Sequence, residues 1–110
     1  FTLLVSAQRY KTNIVSLDPI KEDASLDAIR PVQYELKKSL GKRLKGMIAE
    51  EVELVMPERV IYNKKGEVQS IDYQGFIPDI LSSMQLIRKR ARELETRVSV
   101  LESSLKKKAS

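Results

Sequence analysis

Eight apolar side chains recur along the last third of the chain at intervals of 4, 3, 4, 3, 4, 3 and 4: Ile80, Met84, Ile87, Ala91, Leu94, Val98, Leu101 and Leu105. An amphipathic surface helix carries a wider apolar stripe, whereas a strict two-in-seven line is a coiled-coil seam. A lone helix cannot bury so narrow a seam, so the pattern predicts association with copies of this chain or with a similar partner. With Met84, Ala91, Val98 and Leu105 at position a and Ile80, Ile87, Leu94 and Leu101 at d, the g-to-e pairs are Arg90 with Glu95 and Arg97 with Glu102. Both attract in a parallel arrangement. The mixture of residues at a and d does not by itself choose between two strands and three.

Upstream the periodicity changes. Residues 1–5 (FTLLV) are apolar and β-prone and read as the tail end of something that precedes them. Residues 6–17 are mixed and turn-like. Asp18 followed by Pro19 supplies an N-cap and a first helical residue for a short helix to about residue 29, and the Arg30-Pro31 step ends it. Val32, Tyr34 and Leu36 alternate with Gln33 and Glu35, which predicts a strand with one buried face. Residues 37–46 are expected to be a basic loop. A short helix is predicted through residues 50–55 and stopped by Pro57. Residues 60–62 and 68–73, separated by a lysine-rich turn closed by Gly66, predict a β-hairpin. Gly75 and Pro78 punctuate the approach to the long helix, expected to be regular from Asp79 onward.

The expected fold class is therefore α+β: a small mixed globular part, residues 6–76, followed by a long C-terminal helix over 77–110, with 1–5 assigned to an upstream segment. Taking the seam out of a chain of 110 residues leaves roughly 75 to form a core, few enough to lean on oligomeric partners. The chain has no cysteine and no histidine, which removes disulfides, thiolate metal sites and the commonest metal ligand and general base. No cofactor or metal is expected. No apolar run approaches the ~20 residues that span a bilayer, and no signal peptide opens the chain, so it reads as soluble, without a membrane partner. The formal charge of +5 is dispersed over residues 37–45, 88–92 and 106–108 and reads as solvated faces rather than a nucleic-acid footprint. A basic-zipper reading of residues 88–92 fails on order: the basic region should precede the seam, yet Ile87, Ala91 and Leu94 set these arginines on its flanks.

Ser6 and Lys11 are the candidate nucleophile and base. A lysine takes a serine proton only when neutral, and desolvation is what draws it down from its ordinary value near 10.4. Five residues of extended chain span about 16 Å, so the two side chains can meet only across a tight turn or between subunits. Four separated segments then fit one family in order and spacing. Residues 6–14, SAQRYKTNI, resemble the S-D-x-R-x-K-x-N-I opening of the C-terminal intramolecular chaperone, or auto-processing, domain of phage tailspikes and tail fibres, of the endosialidase type. Residues 29–34 (IRPVQY) resemble its I/L-x-P-V-x-F/Y segment. Residues 46–52 (GMIAEEV), with Pro57, Glu58 and Val60, resemble its G-x-I-A-Q-E-V…P-E-x-V core. Ile71, Asp72 and Tyr73, then Ile77, Pro78 and the heptads, resemble its lead into a terminal coiled coil.

The resemblance implies a homotrimer that aligns three upstream fibre chains for folding and then cuts itself off once per subunit. It implies Ser6 as nucleophile, Lys11 as general base and Val5–Ser6 as the bond broken. It also implies action in the host cytoplasm during virion assembly and absence from the mature fibre. Ala7 stands where the family usually has aspartate, and Glu50 where it has glutamine. The alternatives are a trimerisation module of the same fold without proteolysis, or the self-cleaving trimerisation domain of a membrane-bound transcription factor.

Overall fold

Asp18 begins the first regular helix in the way its side chain suggests. In the computed structural model, which describes residues 5–109, its carboxylate accepts hydrogen bonds from the N–H groups of Ile20 at 3.1 Å and Lys21 at 3.4 Å. Pro19, whose missing N–H would have had no partner, opens helix α1, Pro19–Asp27. A final turn at Ala28 and Ile29 leads into Arg30-Pro31. The apolar segment expected at residues 1–5 lies outside the described residues except for Val5.

Strand β1, Val32–Leu36, forms where its alternation predicts, with Val32 and Tyr34 half-buried and Gln33 exposed, but Leu36, expected on the buried face, is exposed beyond the point where the pairing register shifts. The basic loop expected over residues 37–46 is instead mostly strand. The chain turns over Lys37 and Lys38 and returns as β2, Ser39–Gly46, antiparallel to β1, with Val32 opposite Gly46 and Tyr34 opposite Leu44. The register then shifts, bringing Leu36 opposite Ser39. Gly41, at φ +93°, takes up the irregularity in a conformation that L side chains avoid, and its N–H donates to the Glu35 carboxylate. A two-stranded hairpin with few buried side chains needs no apolar alternation, so lysines and glycines hide its second strand. Lysines along such an edge also discourage pairing with other chains.

Helix α2, Ala49–Val55, is followed by a 3₁₀ turn, Pro57–Arg59, and a second antiparallel hairpin, β3, Val60–Tyr62, with β4, Val68–Ile71. The Asn63 side chain organises the hairpin turn by accepting from the N–H groups of Lys65 and Glu67, both at 2.9 Å. Val52, Met56, Val60, Ile71 and Phe76 form the buried core, flanked by Leu26, Ile29, Met47, Ala49 and Val68.

Helix α3, Phe76–Ala109, begins three residues before Asp79. Pro78 sits inside its first turn, where a proline costs no hydrogen bond. At 34 residues the helix is about 51 Å long and accounts for most of the 71 Å long axis of the molecule. Its base is fixed by Arg59, which donates to both oxygens of the buried Asp79 at 2.7 and 3.3 Å, while Asp72 lies 3.7 Å from the same guanidinium. The hydrogen bond to Asp79 is the main reason the Arg59 guanidinium holds its proton more firmly than usual. The architecture is thus a small α+β part of two hairpins and two short helices, extended by one long helix.

Candidate functional site

Two features could carry function: a serine–lysine contact at one end of the chain and an uncovered stripe at the other. Ala7 is extended, residues Gln8–Tyr10 make a single 3₁₀ turn, and Lys11 is extended again. Backbone bonds from Tyr10 N–H to Ala7 O, 3.1 Å, and from Lys11 N–H to Gln8 O, 3.0 Å, close the turn. A segment that would span about 16 Å if extended therefore folds back. Lys11 Nζ donates to Ser6 Oγ at 3.1 Å. The Arg9 guanidinium lies 4.6 Å from the centre of the Tyr10 ring and donates to its hydroxyl at 3.2 Å. Val5, Ser6 and Lys11 are all exposed in the single chain.

Proton transfer from Ser6 requires the contact to run the other way, from hydroxyl to neutral amine. The geometry brings the two atoms within range, in a turn that the single chain leaves exposed to water.

The eight seam residues lie on one side of α3, and all are exposed, the large ones from 42% for Met84 to 66% for Leu105. A second stripe of the same helix, Phe76, Asp79, Ser83 and Leu86, faces the globular part. It lies roughly a quarter of a turn around the helix from the seam. Ser83 donates to Asp23 of α1 at 2.5 Å, tying the two helices together. Sequence reasoning missed Asp79 and Ser83, whose spacing, Asp79 three residues after Phe76 and Ser83 four after Asp79, was the available signal. It also missed why residues 46 and 47 matter. Tyr73 Oη accepts from the Met47 N–H at 3.0 Å, and a Cβ on Gly46 would lie 2.5 Å from that oxygen. Only glycine lets the tyrosine close onto the backbone there. Glu51 binds Arg30 through both carboxylate oxygens, at 3.2 and 2.8 Å, which joins α2 to the segment before Pro31. Those hydrogen bonds hold the Glu51 carboxyl below the usual carboxylate range. Among the described residues no helix is long and apolar enough to cross a membrane.

The model of a peptidase family described as the chaperone of endosialidase matches residues 6–61, 56 of the 110 in the chain. The chain belongs to this family. The chaperone of endosialidase is the C-terminal intramolecular chaperone domain of phage tail proteins, and its match begins at Ser6 and takes in the 3₁₀ turn, Lys11, both strands of the first hairpin and all of α2. Three of the four segments read from the sequence fall inside the match, while Ile71, Asp72 and Tyr73 lie beyond it. No curated protein matches the chain.

Proposed function

We propose that this endosialidase-type chaperone assembles as a parallel homotrimer through α3, holds three upstream fibre or tailspike chains in register while they fold, and then cuts itself free between Val5 and Ser6. The observation that carries the reading is the seam: eight apolar positions at unbroken heptad spacing, all left in water by the single chain. Intertwined fibres are built from non-local, interchain contacts, so three chains must meet before burial offsets their lost entropy. A trimeric clamp makes that meeting intramolecular, at effective concentrations of about a millimolar.

In the cutting step Ser6 Oγ attacks the Val5 carbonyl carbon as neutral Lys11 accepts the hydroxyl proton. The proton then passes to the departing Ser6 nitrogen, the C–N bond breaks, and water hydrolyses the resulting ester to leave a carboxylate on Val5 and a free hydroxyl on Ser6. A single turnover needs positioning rather than a substrate pocket. Assembly around the exposed turn supplies the desolvation that neutral lysine requires, so cutting reports completed folding. After release the fibre is held by its unfolding barrier. The setting is the host cytoplasm during virion assembly. The exposure of the serine–lysine pair in the single chain supports a second reading, a trimerisation domain of the same fold that does not cut.

Mass spectrometry of a longer parent chain decides between them. The first reading expects a fragment beginning at Ser6, abolished by Ser6→Ala and by Lys11→Arg, since arginine stays protonated. An uncut wild-type trimer favours the second reading. A fragment beginning at position 6 in Ser6→Ala overturns the serine–lysine assignment.

A further inference from the structure

The charge pattern of the seam has a gap that the fold fills. In the second and third heptads the g position is basic and the facing e′ position acidic, Arg90 with Glu95 and Arg97 with Glu102. In the first heptad the corresponding pair is Ser83 with Arg88, which has no acid. Ser83, however, is buried and donates to Oδ1 of Asp23, so α1 places a carboxylate along the g side of α3 at this layer. Ser83 and Arg88, with Leu26, Ile80, Met84 and Ile87, line one open apolar groove whose floor is the first three seam positions. The groove therefore has an acidic rim, Asp23 with Ser83, and a basic rim, Arg88. Among the described residues neither Asp23 nor Arg88 forms an ion pair within its own chain.

We infer that the groove receives the α3 helix of a second copy and that Asp23 of one copy pairs with Arg88 of the next, closing the first layer of the assembly. The inference rests on the parallel seam proposed above. The occupant follows from the lining: Ile80, Met84 and Ile87 are seam residues, so what covers them is another seam, and the two rims complement each other only when a copy of the same chain is seated in parallel. Arg88 from the neighbour then arrives at the rim that holds Asp23.

The polarity of this layer is reversed relative to the two above it, and that reversal sets register. If one helix slips by a heptad in one direction, Arg90 faces Arg88. If it slips the other way, the Asp23 rim faces Glu95. Each slip keeps one attractive pair and creates one repulsive pair, whereas the aligned register has attraction at all three layers. Without Asp23 the first layer would oppose only the slip that sets Arg90 against Arg88 and would add no attraction to the aligned register. The carboxylate comes from a different element of the chain, so the globular part takes part in aligning the helices.

The test is a charge-swap cycle on the whole chain, with association followed by sedimentation equilibrium and folding by circular dichroism. Arg88→Glu changes an exposed residue with no partner in its own chain and is expected to leave the single chain folded. It should raise the concentration for half-assembly by about three- to tenfold at low salt. Asp23→Lys also removes the acceptor of Ser83 and should weaken assembly at least as much, and combining the two should recover much of the loss relative to either single variant, which a purely structural role for Asp23 would not allow. The differences should shrink in molar salt. Wild-type assembly combined with an Arg88→Glu variant that associates equally well, or with a double variant no better than the singles, overturns the inference alone. A wild-type chain that remains monomeric at tens of micromolar overturns the seam and the inference together.

Discussion

The two stripes of α3 are filled the wrong way round for a helix that works alone. The stripe turned to the globular part consists of Phe76, Asp79, Ser83 and Leu86, two of them polar and buried, whereas the stripe left in water carries isoleucine, leucine, valine and methionine. Burial of apolar area drives folding, so a chain meant to be monomeric would turn the second stripe inward. The inner stripe is instead a joint. Asp79 is locked by Arg59, Ser83 by Asp23, and Phe76 closes the core, which together fix the direction of the helix and hold the seam outward. One stripe positions the helix, and the other is the seam through which assembly is proposed.

Separating these roles by mutation should give different failures. The largest effect is expected from replacing Ile87 and Leu94 together with asparagine, which removes two d layers from every subunit at once. Assembly should be lost by light scattering while the hairpins and α2 persist by NMR. Phe76→Ala acts on the other stripe and should destabilise the globular part by about 4 kcal/mol in thermal or urea unfolding, because it opens a cavity in a core of five buried residues. Asp79→Ala leaves the Arg59 guanidinium without its main partner in a mostly buried setting and should cost about 3 kcal/mol. It should also loosen α3 at its base, visible as faster amide exchange over the first turns of the helix.

The smallest expected effect concerns pH. Glu51 is held below the usual carboxylate range by Arg30, so the native state binds its proton less readily than the unfolded chain. This contribution is complete above the ordinary carboxylate range and disappears as pH falls through the lowered native value. Arg30→Gln should therefore lower stability near neutrality slightly and flatten the acid limb of the stability profile. The pair is exposed, so a large change in that limb would mean that other carboxylates are involved.

Much of this division was legible in the residues. The seam announces itself because a 4-3 repeat has few other uses, and α1 because Asp18 and Pro19 both mark a helix start. The second hairpin follows from its turn residues. Strand β2 was hidden because backbone pairing forms it, and its Lys42, Arg43, Lys45 and two glycines carry no strand periodicity. The positioning stripe was hidden because a buried aspartate and a buried serine look like surface residues until their partners, Arg59 and Asp23, are brought in from 20 and 60 residues away. Ser6 and Lys11 were legible as a pair with a geometric condition attached. The turn at Gln8–Tyr10 meets that condition without any glycine or proline to signal it.

The most direct measurement of the central claim is the molar mass of the purified chain by light scattering across a concentration series from one to a hundred micromolar. A bare seam held outward by its own positioning stripe predicts a mass above that of one chain, and the proposed trimer predicts three times the 12.6 kDa chain mass, stable to dilution until the lower end of that range. A mass of one chain throughout would contradict the account, and a mass of two would contradict its trimeric form.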